Sequence, residues 1–289
     1  APGLGYGVEA SAAGLACARE AAWLPTPEPV RTRIPLNATL PAVPAERVPE
    51  VLAKYEGEIQ ELKIKVAEKG QSLTDDIARV AAARDALPNA RLKVDANMGY
   101  TLGGALDALR KLCEYGIIYA EQPVASIEDM AALRFAIAKE RLPARIAADE
   151  SIRKAEDPLK VARANAADLM VIKAAPLGGV RRALALVEQA QLPAIVSSAL
   201  ESSVGIATGA SLAASLPTLR YGCGLGTVSL MAEDVTDEPL IARDGFMDLR
   251  TITPSPQRLE RLATDEQTRQ WWVERVTACY RVLERACGL

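Results

Sequence analysis

The clearest pattern in the chain is the alternation Leu62-Lys63-Ile64-Lys65-Val66. A period of two marks a strand with unlike faces, here an apolar face (Leu62, Ile64, Val66) and a basic one (Lys63, Lys65). Taken alone, a Lys-x-Lys strand reads as a solvent-exposed edge, because lysine is seldom buried. The regular spacing of the downstream segments changes that reading. Strands are expected at residues 34–40, 62–66, 91–95, 117–121, 145–149, 168–173, 194–198 and 219–223. Helices are expected between them. One over 74–87 opens with Thr74-Asp75-Asp76 and closes before Pro88, and one over 102–115 stops at Gly116. Another starts at Ser126, where Ser126-Ile127-Glu128-Asp129 resembles a capping box, and the next starts at the N-cap pair Asp157-Pro158. The last two of the series cover 180–190 and 204–216.

Strands alternating with helices imply parallel strands joined by right-handed crossovers, and eight strands close a barrel. An open doubly wound sheet is the runner-up. It would carry Gly-x-Gly-x-x-Gly after a strand, and Gly222-x-Gly224-x-Gly226 has the wrong spacing. Ahead of the series, Gly3, Gly5 and Gly7 mark a loop, 11–22 reads as a short helix, and 25–44 is a proline-rich connector. Beyond Glu233 the pattern changes: 240–243 and 246–249 flank the hairpin signal Asp244-Gly245, and 255–263 and 264–286 read as helices. The last helix carries Trp271, Trp272, Val276, Tyr280 and Leu283, a stripe expected to dock on the barrel exterior. The expected divisions are 1–30, 31–233 and 234–289.

Composition narrows the chemistry. The 289 residues are 49% apolar and 25% charged, as in a globular protein with ample core, and the net charge of -3 leaves no basic footprint for nucleic acid. No stretch approaches a membrane span, and 10–23 contains Arg19 and Glu20 without a basic leader, so no signal peptide is expected. Cys17, Cys113, Cys223, Cys279 and Cys287 are odd in number and lack a Cys-x-x-Cys pair, which suits a reducing cytoplasm. Histidine is absent. That excludes Ser-His-Asp and Cys-His catalysis and histidine-ligated zinc, so proton transfer falls to Lys, Asp, Glu, Tyr or Cys.

The strand ends carry such groups. Lys63 and Lys65 lie on the second expected strand, Asp95 ends the third, Glu121 the fourth, Asp149 the fifth, Lys173 the sixth and Ser197-Ser198 the seventh. Each step is about one βα unit, and in a barrel the carboxyl ends of all strands meet at one mouth. Any one carboxylate there would serve as a helix N-cap or ion-pair partner. Three together repel unless a divalent cation neutralises them, and an all-oxygen set selects a hard ion, Mg²⁺ or alternatively Mn²⁺. Lys65 and Lys173 flank that site. Two lysines side by side on one buried strand face also favour a neutral amine, which is a base.

The runs Lys63-Ile64-Lys65, Val94-Asp95-Ala96-Asn97, Glu121-Gln122-Pro123, Ala148-Asp149-Glu150-Ser151 and Val171-Ile172-Lys173 resemble the enolase superfamily, and within it the muconate-lactonising subgroup. The absence of histidine separates the chain from the mandelate-racemase-like branch. The stretches 147–153, 176–181, 196–199 and 222–225 and the pair Trp271-Trp272 are similar to the o-succinylbenzoate synthase family of actinobacterial type.

That resemblance implies a TIM-like (β/α)7β barrel with an α+β capping domain, here reduced or incomplete, drawn from the N-terminal segment and the C-terminal tail. It implies removal of a proton α to a carboxylate, with Mg²⁺ stabilising the enediolate, and a small carboxylate substrate with neither nucleic acid nor membrane as partner. Carried over residue by residue, Lys65 is the base and Lys173 the opposing cation, while Asp95, Glu121 and Asp149 are the metal ligands. Lys63 binds the substrate carboxylate, and Asn97, Ser197 and Ser198 are further substrate contacts; Glu150 is expected to pair with a strand lysine or to stay exposed. Two alternatives remain open: an N-succinylamino-acid racemase, using the same lysines and metal, and a catalytically silent barrel acting as a binding protein.

Overall fold

The structure is a computed structural model and describes residues 27–153 and 157–287. The expected N-terminal loop and the 11–22 helix lie outside the described residues. The architecture is α/β. Seven strands form one parallel sheet in chain order: β2 (Ala38–Leu40), β3 (Glu61–Lys65), β4 (Arg91–Asp95), β5 (Ile117–Glu121), β6 (Ile146–Ala148), β7 (Leu169–Ile172) and β8 (Ala194–Val196). Sequential parallel neighbours need a crossover each, and helices Leu73–Ala86, Leu102–Leu112, Ile127–Glu140 and Val180–Ala190 supply the longer ones.

Alternation along the strands sorts the side chains into two apolar layers. Leu62, Ile64, Leu92, Val94, Ile146, Met170 and Val196 join the large cluster beneath the helices. Tyr119, Ala147, Leu169, Val171, Ile195 and Tyr221 form a separate cluster on the other face. Lys63 is 9% exposed and Lys93 fully buried, so the basic face of the strand at 62–66 is interior and not a solvated edge. A register shift between Leu92 and Val94 gives β5 an extra residue. That bulge lets Ile117 join the outer layer while Tyr119 and Glu121 face inward.

Several boundaries differ from expectation. The strand expected at 34–40 is split. β1 (Arg33–Pro35) turns away to pair antiparallel with β9 (Phe246–Asp248), and only β2 joins the parallel sheet. Pro35 lacks the N–H that would continue a ladder. The helix expected from Thr74 starts at Leu73, because Ser72 caps it: Ser72 Oγ accepts from Asp75 N, and the Asp75 carboxylate accepts from Ser72 N at 2.7 Å. At Ser126 the hydroxyl accepts from Asp129 N as expected. The helix expected at Asp157-Pro158 is only the single turn Lys160–Arg163.

The strand expected at 219–223 reduces to two bridges, Leu36 with Cys223 and Ser197 with Gly224. Asn37 N donates to Cys223 O and Gly224 N to Val196 O, so this segment touches residues adjoining both edge strands of the sheet. Gly222 is required there, since a Cβ would stand 2.9 Å from the backbone C and O of Leu36. The Asp244-Gly245 turn forms, with both residues at positive φ and Arg243 and Phe246 exchanging backbone hydrogen bonds, but β9 gives its ladder to β1.

The final helix, Glu266–Cys287, does not bury its stripe: Trp271 and Trp272 are 52% and 53% exposed and pack on each other edge to face. Val276 and Tyr280 are 50% and 53% exposed as well, although Trp272, Val276 and Tyr280 are spaced to share one helical face. Among the described residues no helix is long and apolar enough to cross a membrane.

Candidate active site

Register brings the expected residues to one end of the sheet. Lys65 is the ladder partner of Asp95, and Asp95 of Glu121, so the ends of β3, β4 and β5 are level. Asp149 follows β6 and Lys173 follows β7. Asp95, Glu121 and Asp149 are 1%, 2% and 2% exposed. Three carboxylates cannot be buried so deeply without compensation. Lysines supply it. Lys63 Nζ lies 3.2 Å from Asp95 Oδ2 and 3.3 Å from Glu121 Oε1. Lys65 Nζ donates to Asp95 Oδ2 and Asn97 Oδ1, both at 2.6 Å. Lys173 Nζ is bidentate on Asp149, at 2.8 and 2.7 Å.

These pairs act at Lys63 against the neutral amine that two adjacent buried lysines would favour. Burial does work against a charged Lys63, but the Glu121 and Asp95 carboxylates outweigh it and hold Lys63 above the ordinary lysine range. It is a fixed cation. Burial likewise opposes ionisation of Asp95, yet Lys63 and Lys65 keep its carboxyl below the usual range. Glu121 is the exception. Burial, then the adjacent Asp95 charge, push it up to about 7, against the pull of Lys63. It is the carboxyl of the three that is short of positive charge.

As placed, no three acidic or cysteine side chains among the described residues converge closely enough to hold a metal ion. The lysines sit on the inward oxygens instead. The donor set nevertheless suits a hard divalent cation: it is all oxygen, desolvated, and contains one under-neutralised carboxyl.

Residues 45–254 match the enolase C-terminal domain-like family. The chain belongs to that family. Among relatives, the o-succinylbenzoate synthase of Mycolicibacterium smegmatis is 52% identical over 274 residues, covering 94% of this chain and 83% of that protein. The o-succinylbenzoate synthase of Mycobacterium leprae is 49% identical over 282 residues, covering 97% and 81%. Among solved structures, muconate cycloisomerase from Pseudomonas fluorescens matches with a TM-score of 0.72 and 27% identity over 82% of this chain and 67% of that one. Muconate lactonizing enzyme from Pseudomonas putida matches with a TM-score of 0.70 and 26% identity, covering 82% and 68%. The resemblance drawn from the strand-end residues is borne out.

The two serines singled out bond to the segment that follows the last helix of the series. Ser198 Oγ donates to Gly224 O at 2.9 Å and meets the Thr227 hydroxyl, and Ser197 Oγ reaches Gly224 O at 3.4 Å. Both serines are buried and tie the 222–224 segment to the end of β8. Glu150 pairs with Asn97 and Arg153 and not with a strand lysine.

Supporting residues went unread in the sequence. Gln122 Oε1 accepts from the backbone N–H groups of Asp149 and Ser151, and its Nε2 donates to Ser151 Oγ, which fixes the turn carrying Asp149. Arg79 is fully buried; it donates to the Lys65 carbonyl at 2.9 Å and to Asp76, so the helix Leu73–Ala86 anchors the end of β3. The signal for it was faint: an Asp and an Arg three apart on a helix usually mark a solvated pair.

Proposed function

We propose that the chain is an o-succinylbenzoate synthase, which removes water from 2-succinyl-6-hydroxy-2,4-cyclohexadiene-1-carboxylate to give the aromatic o-succinylbenzoate of menaquinone biosynthesis. The observation that carries this reading is the pair Lys65 and Lys173, on β3 and just after β7, with Asp95, Glu121 and Asp149 between them, in a chain 52% identical to a protein of that name. We also read the sheet as a closed (β/α)7β barrel whose eighth position is the 222–224 segment, supported by its bridges to residues 36 and 197. Residues 31–233 then form the catalytic unit, with 1–30 and 234–289 as reduced capping and peripheral segments.

In this reading Lys65, as a free amine, takes the proton from the carbon α to the substrate carboxylate. The electron pair moves onto the carboxylate oxygens and then returns to expel the 6-hydroxyl. Lys65 gives its proton to that departing oxygen, so water leaves and the ring becomes aromatic. Lys173 stays protonated and faces the developing negative charge from the opposite side, a preorganised electrostatic contribution. Lys63 stays charged at the base of the site and offers a hydrogen bond to the substrate carboxylate, and Asn97, Ser197 and Ser198 contribute contacts or hold the surrounding loops. Asp95, Glu121 and Asp149 would hold Mg²⁺, or alternatively Mn²⁺, which would supply concentrated positive charge where the carboxylate gains electron density. Glu121, raised by burial and by the adjacent Asp95 charge, is the ligand whose ionisation such a cation would favour.

The test is direct. Purified protein should form o-succinylbenzoate with Mg²⁺ and lose that activity after chelation, and Lys65→Ala should abolish turnover while folding normally. Near-normal turnover by Lys65→Ala removes the base assignment. The racemase is the competing reading, because two lysines flank one site. Incubation of N-succinylamino acids in D₂O separates the two: α-deuteration of both enantiomers would favour it.

A further inference from the structure

Asn97 follows β4 in the left-handed region, with φ 43°, and its amide reaches in two directions. Its Oδ1 accepts from Lys65 Nζ at 2.6 Å, and its Nδ2 donates to Glu150 Oε1 at 3.3 Å. Glu150 opens the single turn Glu150–Arg153 after β6, is 5% exposed, and receives Arg153 Nη2 on the same Oε1 at 2.8 Å. Its other oxygen, Oε2, is buried with no hydrogen-bond partner. A carboxylate held this deeply with one oxygen unsatisfied is costly, and a neutral side chain of that size would cost the fold less. The arrangement therefore points to a task outside stability.

We propose that Glu150 is a positioning residue for Lys65, acting through the Asn97 amide. The inference rests on the reading of Lys65 as the base. An amide turned end for end would set its carbonyl against the carboxylate, which is repulsive, and its NH₂ against the lysine, which repels the ammonium and occupies the lone pair of the free amine. Glu150 thus decides which end of Asn97 meets Lys65. The remaining partner of Lys65, Asp95, is a candidate cation ligand, so Asn97 Oδ1 is the acceptor free to aim the amine. A neutral amine has two N–H bonds and one lone pair. Holding one N–H on a fixed acceptor restricts where the lone pair points, and proton abstraction depends on that direction.

The experiment is a double-mutant cycle on the full chain with saturating Mg²⁺: Glu150→Ala, Asn97→Ala, the double variant, Glu150→Gln and Lys65→Ala. Formation of o-succinylbenzoate gives kcat and KM, calorimetry gives Mg²⁺ affinity, and thermal unfolding monitors the fold. Glu150→Ala should lower kcat about 10- to 100-fold with KM held within about 2-fold, because misaimed chemistry and not binding is lost. The primary isotope effect with substrate deuterated at the reacting carbon should rise, and Mg²⁺ affinity should stay at its native value. In the Asn97→Ala background Glu150→Ala should cost almost nothing more. Glu150→Gln, which keeps an acceptor for Nδ2, should recover most of the rate; should Glu150→Ala not fold, Glu150→Leu, which fills the space without an acceptor, carries the cycle.

Multiplicative losses in the double variant, or a loss confined to KM or Mg²⁺ affinity, would overturn the proposal. Turnover retained by Lys65→Ala sinks the base assignment itself, an outcome distinct from additivity at Glu150 with Lys65 still essential.

Discussion

At the end of the sheet away from the candidate site, Lys93 is fully buried, with Nζ 3.0 Å from Glu61 Oε2 and 2.9 Å from Gly222 O, over the Tyr119 ring. Glu61 holds more partners: Gly222 N donates to Oε2 at 2.8 Å and Arg91 Nη1 to Oε1 at 2.7 Å. The two sides of this pair are therefore unequal. Glu61→Gln removes the charge that compensates Lys93 and leaves a buried cation with a backbone carbonyl, which should cost about 3–5 kcal/mol. Lys93→Met leaves Glu61 with Arg91 and Gly222, so its cost should be the smaller, about 1–3 kcal/mol. The double variant should recover part of the Glu61→Gln loss, since no buried charge is stranded.

Burial already lowers Lys93 from its usual range, against the pull of Glu61, and removing Glu61 takes away that support. An unfolded lysine keeps its proton to about pH 10.4, so above the depressed folded value the unfolded chain binds more protons and the stability of Glu61→Gln should rise with pH. Urea titrations at pH 7 and pH 9.5 measure both effects. A Glu61→Gln protein within about 1 kcal/mol of native at pH 7, or one losing stability toward pH 9.5, would refute the reasoning.

Other contacts carry their own expected outcomes. Lys173→Ala should lose at least about 100-fold in kcat in the o-succinylbenzoate assay, because it removes a preorganised cation, while its circular dichroism stays native. Gly222→Ala forces a Cβ to within 2.9 Å of the Leu36 backbone and should cost about 1–3 kcal/mol in urea denaturation. Asp234 is buried and accepts from Ser203 N at the start of the helix Ser203–Ser215, so Asp234→Ala should lower stability by about 1–2 kcal/mol by the same measurement. Cys223 is buried and its thiol is pushed up to about 12. At pH 8 it should resist maleimide labelling in the native state and label on unfolding, as read by peptide mass spectrometry.

The strand series was legible because period two, repeated at intervals of about one βα unit, survives any local uncertainty in boundaries. Lys63, Lys65, Asp95, Glu121, Asp149 and Lys173 could be grouped without a single contact, since parallel strands in chain order bring their carboxyl ends to one side. The edges of the pattern were not legible. Nothing local at 34–40 says that β1 would leave the sheet for a partner more than two hundred residues away, and at 219–223 the pairing reduces to bridges held by neighbours. The extra residue in β5 was equally silent, although without it Glu121 would face the helices.

Charge was the part that local reasoning left open, and Lys63 shows why. Counting only its neighbour on the strand, two like charges and burial argue for a neutral amine. The carboxylates that reverse the sign come from β4 and β5, with Lys63 Nζ 3.2 Å from Asp95 and 3.3 Å from Glu121, and register alone brings them there. The consequence separates the two lysines of one strand. Lys63 is 9% exposed and locked between two acids, whereas the Lys65 side chain is 30% exposed and ends on Asn97 at the mouth. A base must reach substrate and change its proton count; a lysine whose charge two buried carboxylates require cannot do so cheaply. The proposed roles of Lys65 as base and Lys63 as fixed cation thus draw support from depth within one strand, two residues apart.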